Sequence, residues 1–117
     1  MTINWKKPTA QMLGRFQPFH DGHKTLFKEI LKRTGQVIIM IRDTSRTDDS
    51  NPFNFDIVKK NIESNLTEYE GKFEVIKVPN ITNICYGRGV GYKIEQISLS
   101  KEIEEISATK IRKKMKI

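Results

Sequence analysis

Both histidines of the chain, His20 and His23, stand three positions apart in the stretch "GRFQPFHDGH", Gly14–His23. Imidazoles and glycines on a short loop suit a phosphate site. A helix beginning there would offer backbone N–H groups and the positive end of its dipole to an anion. Gly14 and Gly22 would let the backbone approach a ligand closely, and the two rings would add donors for phosphate oxygens. Two other readings compete. A pair of histidines can be half of a zinc site, but no third ligand accompanies this one. The rings can also be plain surface histidines on a capped turn.

A second constellation is "ISATKIR", Ile106 to Arg112. As structure alone, Ser107 caps a helix and Ile106 packs on Ile111 as a hydrophobic staple. That leaves Thr109 and Arg112, which fall in or near the first turn, where an anion would dock. The standard phosphate fingerprints are absent. "GRGVGY" has Tyr92 where the dinucleotide motif needs its third glycine, and no P-loop lysine follows any glycine run. The "GRGVG" stretch reads as a tight connection between strands.

The elements that must hold these residues follow from periodicity. "TAQMLG" and "VIIMI" (Val37–Ile41) read as short buried strands. Between them Leu26, Phe27, Ile30 and Leu31 recur at helical spacing, and Gly35 ends that helix. This β-α-β unit is expected to be right-handed with parallel strands. Asn51 and Pro52 signal a second helix, with proline at its first position and Val58, Ile62, Leu66 and Tyr69 as the buried stripe. Gly71 closes it before the strand "FEVIKV", Phe73–Val78. Further strands are expected at "ITNICY" and "YKIEQI", and a last helix from Ser107. The expected fold is α/β: a Rossmann-like open parallel sheet of about five strands with helices on both faces. In such sheets ligands bind beyond the carboxyl ends of the strands, where the Gly14–His23 loop would lie.

Composition narrows the function classes. At 117 residues the chain is expected to be a single domain, residues 1–117. No apolar run approaches membrane-spanning length and the first residues lack a signal-peptide core, so a soluble, cytoplasmic protein without membrane contact is expected. Cys85 is the only cysteine, which excludes an internal disulfide. The net charge of +7 suits a polyanionic partner, but Lys110, Arg112, Lys113, Lys114 and Lys116 crowd the C-terminus. Cations there also suit a helix dipole, so a solvated helix end is preferred over a nucleic-acid or lipid contact.

The two constellations together resemble the nucleotidyltransferase superfamily marked by an HxGH motif after the first strand and an ISxTxxR motif opening a late helix. Here these are His20-Asp21-Gly22-His23 and Ile106-Ser107-Ala108-Thr109-Lys110-Ile111-Arg112. The opening Gly14-Arg15-Phe16-Gln17-Pro18-Phe19-His20, with "NPF" at Asn51–Phe53, is similar to the archaeal-type nicotinamide-nucleotide adenylyltransferases. The cytidylyltransferases instead usually carry Gly-Thr-Phe-Asp there. This chain is shorter than those adenylyltransferases, lacks the helix they place between their fourth and fifth strands, and has a different loop, "RDTSRTDDS", after the second strand.

The resemblance implies transfer of a nucleotidyl group, AMP from ATP by preference, to a small phosphorylated acceptor with release of pyrophosphate. Nicotinamide mononucleotide is the leading acceptor. Cytidylyl or adenylyl transfer to another phosphorylated acceptor stays open, as does a non-catalytic nucleotide- or nucleic-acid-binding module. The same resemblance implies roles for residues. His20, His23 and Arg112 would stabilise the reacting phosphates. Gly14, Arg15, Phe16, Gly22, Ser107, Thr109 and Arg112 would bind the nucleoside triphosphate, with Mg²⁺ bridging its phosphates and no dedicated protein ligands for the metal. Arg42, Arg46 and Arg88 are candidates for the acceptor's phosphate. Self-association into a homo-oligomer is left open.

Overall fold

The computed structural model describes residues 3–43, 47–48, 51–105 and 108–114. Strand β1 (Ala10–Gly14) leads into helix α1 (Asp21–Thr34), strand β2 (Val37–Arg42), helix α2 (Phe55–Asn65) and, after a short 3₁₀ turn at Thr67–Tyr69, strand β3 (Phe73–Val78). Two short helices follow, α3 (Lys101–Glu104) and α4 (Ala108–Lys114). The strands form one parallel sheet in the order β1-β2-β3, with Met12 beside Ile39 and Ile39 beside Val75.

The expected β-α-β-α-β run is therefore present. Its core is built from one face of the pleat: Met12, Val37, Ile39, Ile41 and Val75 are buried against Phe27 and Ile30 of α1 and Val58, Ile62 and Leu66 of the α2 region. Helix α1 stops where expected. Gly35 takes the left-handed conformation at φ 83°, and its N–H donates to Leu31 O at 2.8 Å, a closure that favours glycine. Among the described residues no helix is long and apolar enough to cross a membrane.

Three expectations need correction. Helix α2 begins at Phe55 rather than at Pro52, with Asn54 as its cap accepting from Ile57 N at 3.0 Å, and it ends at Asn65, capped by Leu66, rather than running through Tyr69 to Gly71. Asn51 is instead held in a reciprocal turn, its N–H on Asp48 O at 3.1 Å and its carbonyl on Asp48 N at 3.0 Å. The sheet has three strands among the described residues, not five. "ITNICY" and "YKIEQI" form no ladder, and Ile84, Tyr86, Tyr92 and Ile94 are each more than half exposed. A parallel pair needs a crossover of a dozen or more residues. The intervening "GRGVG" supplies only tight turns, with Val90 N on Arg88 O and Gly91 N on Gly89 O. Finally, α3 was not expected at all; Ser100 caps it by accepting from Ile103 N at 3.4 Å. The expected last helix is α4, although its proposed first residue, Ser107, lies outside the described residues along with Ile106.

Candidate active site

The loop from Gly14 to His23 leaves the carboxyl end of β1 and turns back into α1. Phe16 makes the turn at φ 54°, a conformation few non-glycine residues adopt. Its ring folds over Gly14, where a Cβ would lie 2.8 Å from Phe16 Cζ. Gly14 is thus required by a neighbouring ring. Phe16 and Phe19 are buried and meet edge to face at 5.7 Å. On them sits His23, edge-on to Phe16 at 4.9 Å and stacked on Phe19 at 5.5 Å. Phe16, expected among the triphosphate contacts, is part of the floor beneath a histidine.

His20 stacks on His23 with ring centroids 3.8 Å apart. The pair also caps α1. His20 Nδ1 accepts from Gly22 N at 3.0 Å, and His23 Nδ1 accepts from His20 N at 3.2 Å. An imidazole nitrogen that accepts carries no proton, so these bonds assign the neutral Nε2–H tautomer to both rings. Each Nε2–H is then the donor left for a ligand. Gly22 is needed here as well: a Cβ would lie 2.8 Å from His20 Cε1. The expectation of open helix-end amides changes accordingly, because Gly22 N and His20 N are spent on the rings.

Electrostatics favour the same neutral state. Burial lowers the pKa of His20, partly offset by the adjacent Asp21 carboxylate. Burial, and then the neighbouring His20, push His23 down to about 3. Two stacked rings cannot both carry charge cheaply in a half-dry site. Both rings are thereby held neutral, each with an Nε2–H to donate.

Arg112 reaches this loop from α4. It is 8% exposed, and its Nη1 donates to the backbone carbonyl of Gln17. One arm of the guanidinium expected to fork onto phosphate thus holds the loop. Gln17 is the residue that sequence reasoning missed. It is buried, its Nε2 donates to Phe53 O and its Oε1 accepts from Phe53 N, both at 2.9 Å. The "NPF" segment is thereby fastened to the histidine loop. No pattern in the sequence flags a buried glutamine whose partner is a backbone 36 positions away.

The other candidates are placed unevenly. Arg42 ends β2 at the same edge of the sheet, with Nη1 3.4 Å from Ile81 O and a buried Nε that has no hydrogen-bond partner among the described residues. Arg15 is exposed one residue beyond β1, and Arg88 is exposed within the "GRGVG" turns. Thr109 lies in the first turn of α4, which fixes its backbone position only. Arg46 and Ser107 lie outside the described residues. Among the described residues no three His, Cys, Asp or Glu side chains gather as a metal site.

Comparison with known proteins adds the following. Residues 12–57 match the family described as cytidylyltransferase-like. The chain is 33% identical over 73 residues to a nicotinamide-nucleotide adenylyltransferase of Methanococcus aeolicus, covering 62% of this chain and 42% of that protein. A bifunctional NMN adenylyltransferase/ADP ribose pyrophosphatase of Francisella tularensis, solved in complex with AMP and a manganese ion, matches with a TM-score of 0.56 and 32% identity. Another structure of that bifunctional protein gives a TM-score of 0.58 and 31% identity. Each covers 63% of this chain and 23% of the solved one. The chain thus spans under half the length of the curated relative and about a quarter of the solved ones.

Proposed function

We propose, from the premise that this chain is a cytidylyltransferase-like relative of nicotinamide-nucleotide adenylyltransferases, that it transfers AMP from ATP to a small phosphorylated acceptor. Nicotinamide mononucleotide is the acceptor we favour, because it is the one named for the relatives. The observation that carries the reading is the stacked pair His20 and His23, whose Nδ1 atoms are both tied to backbone N–H groups.

In this reaction an acceptor phosphate oxygen attacks the α-phosphorus of ATP, and the bond to the bridging oxygen breaks to release pyrophosphate. Little covalent chemistry falls to the protein; it positions the phosphates and stabilises charge. The two Nε2–H groups donate to the α-phosphate oxygens and to the leaving bridging oxygen as charge builds there. His20 Nδ1 takes a hydrogen bond from Gly22 N in the first turn of α1 and His23 Nδ1 takes one from the N-cap amide, so the positive end of that helix polarises the rings toward the ligand. Neutral donors suit the step, since no proton has to be surrendered. Mg²⁺, when bound, draws negative charge from the phosphates.

Arg112 and the first turn of α4 hold the β- and γ-phosphates, with Thr109 and Ser107 as further donors. The planar guanidinium of Arg112 presents donors in the fork geometry that phosphate oxygens match. Arg15 serves the phosphates from the other side of the loop. Arg42 holds the acceptor's phosphate: a buried Nε at a sheet edge, without a hydrogen-bond partner among the described residues, is what an incoming anion would satisfy. Arg46 and Arg88 remain supporting candidates from the adjoining loops. The test is to incubate the protein with each of the four ribonucleoside triphosphates and a panel of phosphorylated acceptors, reading products by mass. NAD from ATP and nicotinamide mononucleotide is the expected product. Formation of a CDP-linked product in preference would replace adenylyl by cytidylyl transfer.

A further inference from the structure

Three segments far apart in sequence meet at Gln17. Its side-chain amide pairs twice with the backbone of Phe53, and its own carbonyl accepts from Arg112, 95 positions later. The paired bonds to Phe53 have the form of a hydrogen-bonded residue pair in an antiparallel sheet, with the glutamine amide standing in for one strand. At 6% exposure the amide is cut off from water, so losing Phe53 would leave a buried donor and a buried acceptor unsatisfied. One position before Gln17 is Phe16, and two positions after it is Phe19. These are the rings on which His23 sits.

We propose that Gln17 is a positioning residue that couples the triphosphate end of the site, at α4, to the segment leading into α2, where Phe53 lines a cavity with Phe16, Phe19 and Asn61 that we assign to the acceptor. The proposal rests on the nucleotidyl-transfer reading above. Arg112 engages Gln17 through the backbone, while Phe53 is engaged through the side chain. The two links are chemically separate, so a substitution at Gln17 cuts the Phe53 link and leaves the carbonyl for Arg112. A triphosphate that fixes Arg112 fixes Gln17, and Gln17 then fixes residues 51–55 ahead of the cap Asn54. Order on the acceptor side follows from occupancy on the triphosphate side.

The test is amide hydrogen exchange of residues 51–55 in the full chain, with and without the Mg²⁺ complex of α,β-methylene-ATP. In the unsubstituted protein the analogue should slow exchange there by about tenfold. In Gln17→Ala that slowing should vanish, while analogue affinity by calorimetry stays within about threefold. In turnover, KM for the acceptor should rise about tenfold and KM for the triphosphate should stay within about threefold, a split that general loosening of the fold would not produce. Gln17→Glu keeps an acceptor for Phe53 N but loses the donor to Phe53 O. It should lose at least about half of the effect, and it serves if the alanine variant fails to fold. Equal slowing of exchange in the unsubstituted and Gln17-substituted proteins overturns the coupling. Failure of the unsubstituted protein to bind the analogue overturns the transfer reading itself, and the coupling falls with it.

Discussion

His20 and His23 lie face to face at 3.8 Å, and each ring accepts a backbone N–H of the α1 entry through Nδ1. One pair of side chains thus caps a helix, fixes its own tautomers and presents two Nε2–H donors. Capping and the proposed catalytic role are separable by substitution. His20→Ala should lower turnover roughly 10²–10⁴-fold and also cost about 1 kcal/mol through the lost cap. His20→Asn can accept from Gly22 N without supplying the imidazole donor. It should restore the thermal midpoint and leave turnover low. Recovery of turnover by asparagine would reduce His20 to a cap.

The pH dependence follows from the direction of the histidine shifts. His23 is pushed from 6.5 down to about 3 in the folded chain, so the unfolded chain binds the proton first. Its contribution to stability is complete above pH 6.5 and drains away as the pH falls toward 3. His20 moves in the same direction. Lowering the pH from 6.5 to 5 should therefore cost about 2 kcal/mol from His23. Urea unfolding at several pH values should show that slope in the parent and a clearly shallower one, from His20 alone, in His23→Phe. An unchanged slope in the variant would contradict the neutral buried ring.

The rings also dictate two glycines. In Gly14→Ala the new Cβ would meet the Phe16 ring at 2.8 Å, and in Gly22→Ala it would meet His20 Cε1 at the same distance. Each substitution should cost about 1–3 kcal/mol, as overpacking does. Gly22→Ala should in addition reduce turnover, because the ring it displaces is a proposed donor. A Gly22→Ala variant of normal stability and activity would show that His20 is not seated as described.

Arg112 separates structure from charge. Arg112→Met keeps much of the buried stem but leaves Gln17 O without its guanidinium donor, which should cost about 1–3 kcal/mol. Arg112→Lys can keep one bond to that carbonyl, and should recover stability better than it recovers triphosphate affinity. Calorimetry of the two variants against Mg²⁺–ATP decides. Equal affinity in parent and Arg112→Met would confine the residue to holding the loop.

Much of this arrangement was legible in the sequence because it is local. The 3.6-residue stripe of Leu26, Phe27, Ile30 and Leu31, the apolar run Val37–Ile41, and the stop at Gly35 each follow from neighbouring residues. The start of α2 was not legible. Asn51-Pro52 is a good helix opening, but the backbone of Phe53 is committed to Gln17, 36 positions earlier, so the cap passes to Asn54. "ITNICY" and "YKIEQI" alternate as strands do, yet alternation supplies no neighbour to pair with. The histidine pair was found by residue type and spacing. That both rings accept at Nδ1, and that Arg112 is buried against a carbonyl, depend on contacts formed only after folding.

The base preference is a further consequence of the adenylyl reading. The resemblance to that family implies base recognition at the backbone around Ile81–Gly91 and at the residues before Ser107; the first of these segments makes tight turns at Arg88–Gly91. A site shaped for adenine leaves its polar groups unpaired with cytosine, at about 1–3 kcal/mol each. ATP should therefore exceed CTP at least about tenfold in kcat/KM with a common acceptor. CTP as the better donor would reverse the assignment.

The most direct measurement follows the α-phosphate itself. ATP labelled at its α-phosphate, and separately at its γ-phosphate, would be incubated with Mg²⁺, nicotinamide mononucleotide and either the parent protein or His20→Ala. The account predicts α-label in NAD, γ-label in pyrophosphate, and both signals reduced in the variant. Transfer of γ-label to the acceptor, or α-label that stays in ATP while ATP is bound and every acceptor tried is present, would contradict it.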